Sequence, residues 1–77
     1  MSKKKYILYD ARAMGSQGTD DATVLCCADT VAEYKRDARD FGYELAIYQY
    51  DVRGKELVNE EWIDDYYPDN GFVSEMD

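Results

Sequence analysis

Apolar residues in this chain fall in short continuous runs before and after one stretch where they are spaced three and four apart. The first run, Tyr6-Ile7-Leu8-Tyr9, is aromatic and β-branched and predicts a strand. Residues 13–21 (AMGSQGTDD) gather Gly, Ser and Asp into a loop. A second strand is expected at Thr23-Val24-Leu25-Cys26-Cys27-Ala28. Val31, Tyr34, Ala38 and Phe41 then fall three and four apart, forming one apolar stripe of a helix near 31–41. Thr30 with Glu33 three residues on makes a capping box for its start, and Gly42 stands where a left-handed closing turn is expected.

Residues 44–52 (ELAIYQYDV) read as a third strand and 56–63 (ELVNEEWI) as a fourth, with Arg53-Gly54-Lys55 as a turn, so the two should form a hairpin. Residues 59–66 also allow a short acidic helix capped by Asn59. Pro68 and the PDNG sequence mark a turn, and 68–77 reads as a loose tail. The order is β-β-α-β-β. It implies a single α+β domain over 1–77, with a mainly antiparallel sheet of about four strands and one helix packed on one face. Side-chain alternation in the fourth strand places Glu56, Val58, Glu60 and Trp62 on one face and Leu57, Asn59, Glu61 and Ile63 on the other; Tyr48 and Tyr50 share a face of the third. Alternation leaves open which face of 44–52 is buried.

Charge changes the picture more than composition does. Seventeen carboxylates against nine Lys and Arg give a formal charge of −8. Residues 1–39 are close to balanced, whereas no basic residue follows Lys55. The second half would repel nucleic acid and anionic membranes, so neither direct nucleic-acid binding nor membrane binding is expected. A chain of 77 residues buries only about 60% of its unfolded surface, which favours work done on the outside over a deep pocket. Lys3–Lys5 resembles the start of a secretion signal, but Asp10 interrupts the apolar run after four residues. Cys26 and Cys27 are adjacent, would point to opposite faces of a strand, and read as reduced thiols of a cytoplasmic protein.

Candidate chemistry is sparse. The chain has no histidine, which removes the commonest general base and metal ligand. Cys26 and Cys27 lie in an apolar strand without an activator and read as a pair of small core residues, with room for one thiol to be semi-exposed. Asp20-Asp21 and Asp64-Asp65 are the acidic pairs, but aligning Gly71 with the glycine of a calcium loop puts Pro68 at a ligand position. GSQG at 15–18 lacks the Lys and Ser/Thr of a phosphate-binding loop. No catalytic residue, metal or cofactor is therefore expected. What remains is an acidic, aromatic second half: Glu56, Glu60, Glu61, Asp64, Asp65 and Asp69 around Trp62, Tyr66 and Tyr67. Carboxylates with aromatics between them could dock on a Lys- and Arg-rich groove, the rings stacking on guanidinium planes. The same residues also read as a solvated face that keeps a small protein in solution.

At YILYDARA, GTDDATVL, LAIYQYDV and GKELVNEEWI, spanning roughly residues 6–63, the chain resembles small proteins encoded by bacteriophages and mobile elements. Acidic members of that group include anti-CRISPR inhibitors, some of which are similar to a DNA duplex in charge. The resemblance implies an inhibitory binding protein acting in the bacterial cytoplasm, with a CRISPR effector as the favoured partner. It supplies no catalytic residue. The balanced charge of residues 1–39 departs from a uniformly acidic DNA mimic, so a mimic here would use one face only.

Overall fold

The structure is a computed structural model, and it describes residues 3–13 and 23–74. Strands β1 (Lys3–Asp10), β2 (Val24–Ala28), β3 (Leu45–Arg53), β4 (Glu56–Tyr67) and β5 (Gly71–Ser74) form one antiparallel sheet in the order β2-β1-β3-β4-β5. A short 3₁₀ turn (Ala11–Ala13) follows β1, and helix α1 (Val31–Phe41) connects β2 to β3 across β1. The α+β class and the five elements read from the sequence are present. The loop with its GSQG and Asp20-Asp21 falls largely at 14–22, outside the described residues.

Helix α1 begins and ends where its caps require. The Thr30 hydroxyl accepts the Glu33 amide at 3.2 Å, and the Glu33 carboxylate reaches back to the Asp29 amide at 3.3 Å. Gly42 adopts φ 71°, and its amide closes on the Ala38 carbonyl. Tyr34 and Ala38 from the stripe are buried, Phe41 is half-buried, and Val31 is exposed at the first turn.

The ambiguity at 44–52 resolves because β3 is the central strand and is buried on both faces. Leu45 and Ile47 point under the helix and pack with Tyr6, Leu8, Ala28, Tyr34 and Ala38. Ala46, Tyr48 and Tyr50 point the other way and cluster with Ile7 and Tyr9. A run of apolar residues on consecutive positions is what a strand covered on both sides needs.

Two expectations are corrected. The reading of 68–77 as a loose tail fails for 71–74, which form β5: Phe72 pairs with Tyr66, and Gly71, at φ 84°, makes the return from the 68–70 turn possible. Residues 75–77 lie outside the described residues. The alternative acidic helix over 59–66 is absent, because β4 continues as a strand to Tyr67.

The simple alternation in β4 is also corrected. Val58 stands opposite Asp51, Glu61 opposite Gln49, Trp62 opposite Tyr48 and Asp64 opposite Ile47. Between these pairs β4 twice carries one residue more than β3, which defines two bulges. Asn59, at φ 56°, sits in the first, and Ile63 is the extra residue of the second. Each bulge flips the residues beyond it, so Val58 and Trp62 end on opposite faces.

Candidate partner-binding surface

The sheet has a helix side and an open side; among the described residues no helix packs against the second. The open side is centred on aromatics from three adjacent strands. Tyr9 on β1 meets Tyr48 on β3 edge to face, at 5.4 Å between ring centroids, and Tyr48 stacks on Trp62 of β4 at 6.1 Å and 9°. Such pairs contribute about 1 kcal/mol each beyond the area they bury. Register makes them possible, because Tyr9 pairs with Ala46 and Ile7 with Tyr48, which puts these side chains on one face.

Hydrogen bonds fix the polar tips. Tyr50 donates to Glu60 Oε2 at 2.9 Å, which leaves its oxygen to accept from the Tyr9 hydroxyl at 2.8 Å. The Trp62 indole N–H donates to Asp65 Oδ1 at 3.0 Å. Burial first, then the hydrogen bonds with Tyr9 and Glu60, raises the Tyr50 phenol far above its usual range. Burial also raises Tyr48, with Glu60 and Asp65 adding to it. Both phenols are neutral at physiological pH, so the face offers rings, hydroxyls and carboxylates. It can bind and stack, and it holds no activated nucleophile.

The nine residues singled out from the sequence are not one patch. Trp62, 45% exposed, and Glu60 lie on the open side near its centre. Asp65 lies on the same side but is only 8% exposed, bonded to the indole. Asp64, 9% exposed, points to the helix side and accepts a hydrogen bond from Tyr34. Tyr66 is buried on that side as well, its ring 4.8 Å from that of Phe72. Tyr67 is half-buried at the end of β4. Glu61 is exposed opposite Gln49 on the helix side, and Glu56 is exposed at the hairpin end. Asp69 lies in the turn at the other end of β4, roughly 35 Å from Glu56 along a strand of this length. The structure therefore brings together Glu60, Trp62 and Asp65. It separates Glu56, Glu61 and Asp69 from them, and it draws Asp64 and Tyr66 into the core.

The sequence reading put Tyr48 and Tyr50 on one face of the strand that pairs with β4 in the hairpin, but missed Ile7 and Tyr9, because nothing in the alternation shows that β1 lies on the other side of β3. The cysteines divide as alternation requires. The Cys26 thiol, on the helix side, lies 3.3 Å from Asp37 Oδ2 and is pushed up by burial; Cys27 is exposed on the other side. Among the described residues no group of three or more Cys, Asp or Glu is placed to hold a metal, and no helix is long and apolar enough to cross a membrane. Comparison with protein-family models, with curated proteins and with solved structures finds no match.

Proposed function

We propose that this chain is a non-enzymatic inhibitory binding protein of phage type, whose acidic surface blocks a basic nucleic-acid-binding surface, with a CRISPR effector as the favoured target. The observation that carries the reading is the placement of Trp62. An exposed indole, stacked on Tyr48, shares the open face with a carboxylate, Glu60, that Tyr50 holds in place. A guanidinium can lie flat on such a ring while its N–H groups reach the carboxylate, which is how Arg-rich grooves are engaged. Exposed Glu56, Glu61 and Asp69 add a negative field that steers a basic partner toward the sheet. CRISPR effectors hold their duplex in positively charged channels and read a short flanking motif through Arg and Lys, so an acidic competitor has something to occupy. The choice of that target rests on the resemblance of residues 6–63 to phage proteins.

A second reading has its own observation. Of the large exposed apolar residues, Val24, Leu57, Trp62 and Val73 all fall on the open side by register, opposite Tyr9, Val52, Tyr48 and Asp65. A phage accessory protein that binds its partner through this apolar patch would use its acidity for solubility alone.

One assay separates them: target-DNA binding by a purified CRISPR effector, measured with wild-type protein, with E56Q/E60Q/E61Q/D69N, and with W62S, at low and high salt. Asp64 and Asp65 stay unchanged, since their carboxylates are structural. Inhibition lost on neutralisation and weakened by salt supports the acidic reading. Inhibition that survives neutralisation and salt but fails in W62S supports the apolar one. No inhibition of any effector type removes the CRISPR target.

A further inference from the structure

Where the two halves of the chain meet at the hairpin end, the open side carries the opposite charge. A cleft of about 640 Å³ lies between the start of β1, the end of β2 and the β3–β4 turn. Lys3 and Lys5 come from β1, Lys55 from the turn, and Val52 and Leu57, paired across β3 and β4, supply an apolar floor. Four of the nine basic residues of a chain with net charge −8 line this one cleft, against a single carboxylate, Asp29.

The lysines are not all used within the fold. Lys5 is paired with Asp29 at 2.9 Å, and Lys4, at the rim, is paired with Asp51. Lys3 and Lys55 have no carboxylate within ion-pair distance among the described residues. Strand pairing fixes this convergence: Lys3 stands opposite Val52, and Val52 opposite Leu57, so one cross-strand row runs from a cation to two aliphatic side chains. Leu57 is exposed, which leaves its methyl groups accessible to whatever enters. Cations gathered around an apolar floor present a site whose complement is negative at its head and apolar in its body.

We propose that this cleft binds a small amphipathic anion, a phosphate monoester or carboxylate carrying a short alkyl or aryl group. The head lies between Lys3 and Lys55, with Lys5 held to one side by Asp29, and the apolar body lies on Val52 and Leu57. The volume is in the range of small-ligand sites, roughly 300–1,000 Å³. The site is distinct from the aromatic centre of the open face and stands whether or not the proposed inhibition is correct.

The test is a titration of the isotopically labelled protein with octyl phosphate, inorganic phosphate and uncharged octyl glucoside, followed by amide and methyl chemical shifts. Octyl phosphate is expected to give saturable shifts at Val52, Lys55 and Leu57, with inorganic phosphate at least about tenfold weaker because it lacks the part that covers the floor. K3Q/K55Q should weaken octyl phosphate about fivefold, and L57S should weaken octyl phosphate while leaving inorganic phosphate unchanged. Both variants change exposed side chains, and unchanged shifts elsewhere report that the fold is kept. Equal shifts from octyl glucoside, shifts scattered over the sheet, or full affinity in K3Q/K55Q would overturn the proposal.

Discussion

The hydroxyl of Tyr34 on α1 donates to the carboxylate of Asp64 on β4, joining the helix to a strand thirty residues away across the interior of the sheet's helix side. Both residues are buried, and Tyr34 also packs against Tyr6 and Phe72. A buried carboxylate needs a partner, and the phenol is the partner the sequence supplies. Tyr34→Phe is therefore expected to cost about 2–3 kcal/mol, since it leaves the buried Asp64 carboxylate without its donor, and Asp64→Ala about 1–2 kcal/mol, since it leaves only a neutral hydroxyl without an acceptor. The double variant Y34F/D64A should cost less than the sum. Urea unfolding of the two single variants and the double variant measures this, and a coupling near zero would show the contact contributes nothing to stability.

Asn59 has a left-handed backbone that glycine adopts freely and alanine does not, and its side-chain amide donates to Asp51 at 2.8 Å. Asn59→Ala loses both the tolerance and the hydrogen bond, an expected cost of about 1–2 kcal/mol. Asn59→Gly should cost less than Asn59→Ala, because it keeps the backbone. The same denaturant series checks the order, and an alanine variant as stable as the glycine variant would mean the bulge does not depend on this conformation.

That bulge marks the limit of what the chain reveals before it folds. The helix was legible to its caps because Thr30, Glu33, Gly42 and the stripe report local physics, and the hairpin was legible because Gly54 stands where a two-residue turn wants a positive φ. The faces of β4 were not legible. Alternation predicts one period along the whole strand, whereas two inserted residues, Asn59 and Ile63, each reset it, and nothing in ELVNEEWIDD marks where. The same insertions turn Asp64 and Tyr66 inward and leave Trp62 outside, so an acidic run that reads as one surface becomes three environments. β5 was missed because a four-residue strand owes its existence to β4 beside it, with the half-buried Phe72 as its only large contribution to the core.

Phe72 thereby carries a prediction of its own. Its ring lies 4.8 Å from Tyr66 and 6.1 Å from Tyr34, under the cationic ends of Lys35 and Arg39. Phe72→Ala should destabilise by about 2 kcal/mol, less than a fully buried phenylalanine because the ring is only partly covered. Termination after Asn70 should cost at least as much, since it also removes the ladder between β4 and β5. Thermal unfolding compares the two, and a truncated chain that melts with the full one would show β5 to be dispensable.

Alkaline stability follows from the phenols. Tyr34, raised by burial first and then by its bond to Asp64, joins Tyr48 and Tyr50 in having a folded-state pKa above the usual value of about 10. A group whose folded pKa is raised stabilises the fold at pH below its unfolded value and loses that contribution as pH climbs toward the folded one. Stability should therefore be insensitive to these groups up to about pH 9 and fall steeply above about pH 10. Urea midpoints taken across that range, with tyrosinate absorbance followed in parallel, give the measurement. Tyr34→Phe should lower the neutral-pH midpoint yet flatten the alkaline fall, because one of the three phenols no longer releases a proton on unfolding. A fall of unchanged steepness in that variant would place the alkaline transition elsewhere, at Tyr50 and its bonds to Tyr9 and Glu60 on the open side of the sheet.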